Sequence, residues 1–562
     1  MDSIKISKIG FNPSKYPGVS VVQFDLENLT LIVGPNNSGK SSVLSNIQQF
    51  SYGEQVDDIL NSISLIVTTK PDELIALFKK FNTAKNNDFK NFGMYRPTIQ
   101  SEEDKNKIQS RTIDLHTSIP NLIRHQTFGP ILAYFVLKLS GKFRFQLLNS
   151  QPTGDPLQPD NILSVLLHDN VKREQFRDAI FNEFNWNVFF VERDGGINIR
   201  VSQDSWPIQD ENPRSANYLK FLETTIPLER LGDGIQSFVG LFLAIYAMDC
   251  PVLLIDEPEA YLHPPNAYSM GKKLTQISES RGGNLIASTH DSDFLLGCLE
   301  QTDSVTIIRM TYENNSGNVK QLEKSDVLEF IKNPLLRSTG TLDALFHKSA
   351  IISEGDSDRI FYNAINRRLE RTQNQIDDAL FLRGLGKGTL HKMVNSLRKL
   401  GIPAACVYDL DIIRKNDQSA DFFKNYLSSM NYPSAKLDSI ENERKFVEDQ
   451  LEKLDSTGKG KGFKKIGISG LNASAKKRSL TFLKNLGEYG IFVCPNGSLE
   501  SWLTSLGIPS GNDTKKKWLI SMLEKLGYDK DPESLGPSDD DVWKFLGDIK
   551  NWIDNSERNG MP

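Results

Sequence analysis

Two sets of residues in this sequence have the types and spacing for chemistry. The first opens with Gly34-Pro35-Asn36-Asn37-Ser38-Gly39-Lys40-Ser41-Ser42, which fits G-x-x-x-x-G-K-[ST]. Glycines in such a turn let backbone N–H groups wrap phosphate oxygens, a lysine offsets the β and γ charges, and a hydroxyl can ligate Mg²⁺. Candidate nucleotide contacts are therefore Gly34, Asn36, Asn37, Ser38, Gly39, Lys40, Ser41 and Ser42. Farther along, the apolar run Val252-Leu253-Leu254-Ile255 ends in Asp256-Glu257-Pro258. There Asp256 is placed to hold Mg²⁺ through water, and Glu257 to orient or deprotonate the attacking water. Ala287-Ser288-Thr289-His290 sets a histidine just past another apolar run, where it can sense the γ-phosphate.

The second set is carboxylate-rich. Ala350-Ile351-Ile352-Ser353-Glu354-Gly355-Asp356-Ser357-Asp358 and Val407-Tyr408-Asp409-Leu410-Asp411 each end an apolar run in acids. Convergence of such acids gives hard oxygen ligands suited to Mg²⁺ or Mn²⁺, and packed carboxylates need a cation to offset their repulsion. Between 456 and 484 lie eight basic residues and no acid: Lys459, Lys461, Lys464, Lys465, Lys476, Lys477, Arg478 and Lys484. That run reads either as a solvated face or as a track for a phosphate backbone.

Positioning these side chains requires elements that the patterning supplies. Short alternating apolar bursts from Ile4 to Val33 predict strands, and the spacing of Val43, Leu44 and Ile47 is helical. Gly34 to Gly39 is thus a strand-to-helix turn. Strands at 252–255 and 284–288 around a helix near 264–278 predict a parallel sheet, and the alternation restarts near residue 346 with strands at 350–352 and 404–408. Pro120, Pro130, Pro152 and Pro156 argue against a long coiled-coil arm. With 562 residues, several domains are expected. A net charge of -5 excludes a globally basic binder, so nucleic-acid contact must be local. Four widely spaced cysteines suggest neither a zinc site nor a disulfide framework, and without a leader or an apolar run of about 18 residues a cytoplasmic protein with no membrane partner is expected.

The first set resembles the ABC-type ATPase heads of DNA-repair and structural-maintenance proteins, and Asp256-Glu257-Pro258-Glu259-Ala260-Tyr261-Leu262-His263-Pro264 looks like the version in overcoming-lysogenisation-defect (OLD) proteins. The resemblance implies heads that dimerise, a signature loop of one subunit capping ATP on the other. Leu231-Gly232-Asp233-Gly234-Ile235-Gln236 stands at that loop's place, with Gly232 where serine is usual. The second set resembles a TOPRIM domain, with Glu354 as its glutamate and Asp409 and Asp411 as its D-x-D. On the same likeness to OLD nucleases Asp358 is a further acid, Gly384-Leu385-Gly386-Lys387-Gly388 a glycine-lysine loop, and Glu500 in Pro495-Asn496-Gly497-Ser498-Leu499-Glu500 a late ligand.

The implied architecture is α/β: an ABC-type ATPase head over 1–340 with a helical insertion at about 51–225, a TOPRIM domain over 346–505, and a C-terminal helical segment over 506–562. The resemblance implies an ATP-binding, nucleotide-regulated nuclease that hydrolyses DNA phosphodiesters in antiphage defence. Glu354, Asp358, Asp409, Asp411 and Glu500 would hold Mg²⁺ or Mn²⁺. Expected partners are DNA, further copies of the chain joined through the heads, and a defence component such as a helicase or a retron reverse transcriptase with its small DNA. Alternatives are an ATP-driven DNA-binding scaffold with an inactive TOPRIM domain, and an RNA nuclease acting on tRNA. A topoisomerase or primase would need a partner module that the sequence lacks.

Overall fold

The computed structural model describes residues 4–562 except 18–22, 55–57, 69, 71, 73–120, 125–131, 133–134, 155, 157–158, 160, 194, 213, 249, 282, 314–315, 333–339, 415–421, 455–462, 464–465, 509–514, 528–537 and 539–540. Pro120, Pro130, Lys459, Lys461, Lys464 and Lys465 lie outside the described residues. Two compact units divide at Lys324 and Ser325.

In the first unit the elements run β1 (Ile4–Phe11), β2 (Gln23–Asp25), β3 (Leu29–Val33), α1 (Lys40–Ser51), β4 (Leu60–Val67), β5 (Val136–Leu139), α2 (Gly141–Gln146), α3 (Ile162–His168) and α4 (Asn170–Phe184). They continue with β6 (Asn187–Arg193), β7 (Gly196–Ser202), α5 (Ala216–Thr224), α6 (Asp233–Ala247), β8 (Val252–Asp256), α7 (Pro264–Arg281), β9 (Asn284–Ser288), β10 (Val305–Glu313) and β11 (Ser316–Leu322). The main sheet has the order β11-β10-β3-β9-β8-β5, parallel except for the β10–β11 hairpin. Every residue of β3 and β9 is buried, which is why their sequences are near-continuous apolar runs rather than alternating ones. A second sheet, β2-β1-β4, is antiparallel.

Within 51–225, where a helical insertion is expected, the described residues form α2, α3, α4 and α5 but also strands. β6 and β7 pair over their whole length, Asn187 opposite Ser202 through Arg193 opposite Gly196. The alternation of Val188, Phe190, Ile197, Ile199 and Val201 around an Asp194-Gly195 pair is the hairpin signal, and Gly195 supplies the left-handed turn at φ 78°.

The second unit carries β12 (Ser349–Ser353), α8 (Asp356–Leu369), β13 (Ala379–Arg383), α9 (Lys387–Lys399), β14 (Ala404–Tyr408), α10 (Ala473–Gly487), β15 (Ile491–Val493), α11 (Lys515–Leu526) and α12 (Asp541–Asp554). Its sheet, in the order β13-β12-β14-β15, is parallel throughout. The helices of 506–562, read from sequence as a separate segment, share this unit's core. Trp518, Met522, Phe545 and Trp552 cluster with Phe361 and Tyr362 of α8, because amphipathic α11 and α12 cannot stand alone with those faces wet. Among the described residues no helix is long and apolar enough to cross a membrane.

Candidate active sites

In the first unit, the 34–39 turn joins buried β3 to α1, as its motif requires. A side chain at Gly34 would put its Cβ 2.0 Å from the Met310 carbonyl oxygen, so glycine alone fits where β10 passes behind the loop. Gly39 is left-handed at φ 94° and opens α1. Lys40, buried, donates from Nζ to the carbonyls of Gly34 (2.8 Å) and Pro35 (2.7 Å), which folds the ammonium back over the cradle. Ser41 Oγ donates to Asp256 Oδ1 at 2.9 Å, and Ser288 Oγ donates to the same oxygen. A hydroxyl and a carboxylate brought together beside that lysine are the donor set a nucleotide-bound Mg²⁺ takes.

Glu257 is held in a left-handed conformation, φ 48°, which a glutamate adopts only under constraint. The constraint comes from Arg144 of α2. Its fully buried guanidinium donates to the carbonyls of Asp256 (2.5 Å), Glu257 (2.8 Å) and Pro258 (3.1 Å) and to Ser237 Oγ (3.3 Å). Burial pushes Arg144 down to about 10, partly opposed by the charges of Glu259, Asp256 and Glu257. His290 Nδ1 lies 3.2 Å from Glu257, and that hydrogen bond holds the Glu257 carboxyl below its ordinary range and raises the imidazole.

Glu259, to which the sequence reading gave no role, ties the histidine in place. Its Oε1 accepts from Thr289 Oγ1 (2.8 Å) and from the His290 N–H (3.2 Å), while buried Oε2 has no hydrogen-bond partner among the described residues. Burial pushes this carboxyl from 4.5 up to about 7, against the pull of its hydrogen bonds. The folded chain therefore keeps a proton that the unfolded chain releases, and stability falls as pH rises from about 4.5 to about 7, by on the order of 3 kcal/mol. Glu259→Gln, neutral at every pH, is expected to melt higher relative to wild type at pH 8 than at pH 5. A melting-temperature difference identical at both pH values would refute this.

Gly232 caps the N-terminus of α6, and a Cβ there would meet nothing within 4 Å. Glycine in place of serine at the signature position is therefore not sterically imposed.

In the second unit, Glu354 follows β12 and Asp409 follows β14, neighbouring parallel strands, so both acids stand at the carboxyl edge where open α/β sheets bind ligands. Glu354, Asp409 and Asp411 each offer an oxygen within 4.8 Å of the others'. The Asp409 N–H donates to Glu354 Oε1 at 3.2 Å. Burial, then the Asp409 charge, pushes Glu354 up to about 7. Crowded, partly buried oxygens of this kind fit a divalent hard cation, which offsets both the burial and the repulsion that raise Glu354. The glycine-lysine loop delivers Lys387 to Asp411, with which it forms an ion pair.

Asp358 stands in the first turn of α8 and outside the triad. Its Oδ2 accepts the Gly355 N–H at 3.1 Å, capping the helix, and both oxygens take Lys515 Nζ at 3.0 and 3.1 Å. Burial raises Asp358 despite that cation. Lys515 is held protonated against its own burial by Asp358, Asp409 and Glu500. Glu500, also outside the triad, accepts from Ser498 Oγ at 2.9 Å.

Among the described residues the cations reaching these acids are Lys387 and Lys515, not members of the basic run at 456–484. Of that run, Arg478 is bound to Glu443 (2.8 and 2.9 Å) and lies over the Phe446 ring, and Lys476, Lys477 and Lys484 are exposed on α10. Lys515 went unread because only its place beside Trp518 and Met522, on an amphipathic helix that must pack, signals that it enters the site.

Two family profiles match: AAA ATPase domain over residues 146–295, and Overcoming lysogenization defect protein-like, TOPRIM domain, over residues 345–411. The first contains Asp256, Glu257 and His290, and the second Glu354, Asp358, Asp409 and Asp411. An OLD nuclease of Thermus scotoductus is 23% identical over 432 residues, 70% of this chain and 79% of that protein. The Old nuclease of Escherichia phage P2 is 25% identical over 203 residues, 33% of this chain and 34% of its own length. A solved SMC head bound to the C-winged helix domain of ScpA is 12% identical, covers 57% of this chain and 98% of that chain, and has a TM-score of 0.33, too loose to align side chains.

Proposed function

Because this chain is an OLD-family ATPase–TOPRIM nuclease, we propose that it cleaves DNA phosphodiesters with divalent metal ions, under the control of bound ATP, in defence against phage. The observation that carries the reading is the meeting of Glu354, Asp409 and Asp411 within 4.8 Å. These residues would hold Mg²⁺ or Mn²⁺, with Asp358 and Glu500 as further acids beside them. When bound, such cations supply an activated water and stabilise the leaving oxygen of an in-line displacement.

The chain's own residues do the rest. Lys387 and Lys515 set positive charge around the acids, offsetting that of a phosphate brought against them. In the other unit Lys40 and the loop amides would bind phosphates, Ser41 and Asp256 would hold Mg²⁺, and Glu257, hydrogen-bonded to His290, would take the proton of the attacking water. ATP-dependent pairing of two copies through their heads would gate the nuclease, as a state that only bound nucleotide favours.

The test is cleavage of supercoiled, linear and single-stranded DNA, with and without ATP, before and after chelation. We expect cleavage with Mn²⁺ or Mg²⁺, none in chelator, and full recovery when the cation is restored. Cleavage that survives chelation would remove the metal from the mechanism.

A further inference from the structure

Helices α8 and α11 lie side by side and point the same way. Lys515, opening α11, reaches Asp358 in the first turn of α8, and Arg368, closing α8, donates from Nη2 to the carbonyl of Leu526, closing α11. Between them runs a groove of about 170 Å³ whose lining includes Arg359, Arg367, Arg368, Ile360 and Leu523, and no acid. One end of this line is thus the carboxylate centre. In a chain of net charge -5, three arginines lining one groove, of which Arg359 is paired with the acid Asp356 beside it, are a local concentration of the kind that phosphates require.

Arg359, Asn363 and Arg367 recur every fourth residue and share one face of α8. At about 1.5 Å per residue, Arg359 and Arg367 stand about 12 Å apart along the axis. Arg359 is bound to Asp356 (3.1 Å), which Arg383 also binds (2.8 Å), both through side chains about half exposed. An arriving phosphate competes there only with solvent-screened pairs. Arg367 is exposed, and Lys516 and Lys517 are exposed in the first turn of α11, beside Lys515.

We propose that the groove between α8 and α11 carries the sugar–phosphate backbone of the DNA strand leading away from the bond that is cut. This rests on the nuclease reading above and adds the path of the substrate. The contacts are to phosphates, so they position any sequence alike. Ile360 and Leu523, which also line the groove, offer apolar surface to the sugars.

The experiment uses the full chain and an end-labelled duplex oligonucleotide, with binding followed by anisotropy across a salt series and single-turnover cleavage in Mn²⁺. Arg367→Glu is expected to weaken binding about tenfold and to lower the slope of log affinity against log salt by about one. Asn363→Lys is expected to shift both in the opposite sense. The maximal cleavage rate at saturating enzyme and the rate of ATP turnover stay within about twofold of wild type in both variants, since neither residue touches the reacting groups. Wild-type affinity and salt slope in both variants overturn the proposal while leaving wild-type cleavage intact. A loss confined to the maximal rate overturns it too. So does dependence on Arg367 that appears with an RNA of the same sequence and not with DNA. Absence of cleavage and of DNA binding by the wild-type chain would instead remove the nuclease reading on which the groove depends.

Discussion

A chain carrying Glu354→Gln is expected to lose nuclease activity by at least about a thousandfold while hydrolysing ATP at the wild-type rate. The amide keeps the volume of the side chain and an oxygen to accept the Asp409 N–H, so the junction of β12 and α8 is preserved. What it removes is an anionic oxygen from a three-carboxylate cluster, and with it much of the site's hold on a divalent cation. Metal stabilisation of a transferring phosphoryl group is worth several kcal/mol, and about 4 kcal/mol corresponds to the factor of a thousand. Nicking of supercoiled plasmid in Mn²⁺, with phosphate release from ATP measured on the same preparation, checks both halves. More than a tenth of wild-type nicking would show that the triad does not hold the catalytic ion.

The second large effect belongs to the other unit. Glu257→Gln should lower ATP turnover by about 10²- to 10⁴-fold, the usual worth of a positioned general base, with nucleotide affinity retained. Affinity survives because Lys40, Ser41 and Asp256 are untouched. The variant also removes the carboxylate that raises His290, so the imidazole should titrate at lower pH. Single-turnover hydrolysis and equilibrium binding of a labelled nucleotide separate the two terms, and equal losses in both would mean that Glu257 binds rather than reacts. The variant then decides what controls the nuclease. DNA cleavage that persists when ATP is bound but not split assigns the control to binding alone.

The phosphate loop, the buried runs ending at Asp256 and Glu354, and the D-x-D at Asp409 were legible because each is local: a strand, a turn and its acids fit within about ten residues. The parallel sheets followed from continuous apolar runs such as those of β9 and β14. What escaped was non-local. Lys515 reaches Asp358 across 157 residues of sequence, and Arg144 reaches Asp256 across 112. Neither pair has a spacing that periodicity could expose. The β6–β7 hairpin has a local signal in the Asp-Gly pair of its sequence, which stands amid helical neighbours. Glu259 lay inside a run noted for its likeness, but its role depends on Thr289 and His290 from the next strand, a pairing that only the sheet makes visible.

The guanidinium of Arg144 binds three successive carbonyls at the end of β8. None of the motifs quoted above includes it, yet the aim of Glu257, the carboxylate proposed to take the proton of water, passes through it. A homologue could preserve every signature from Gly34 to His290 and still be a silent ATPase, if an exchange in the short helix at 141–146 let that turn relax. Inventories that score such chains as active by their motifs alone would misfile it, and position 144 is where they should look next.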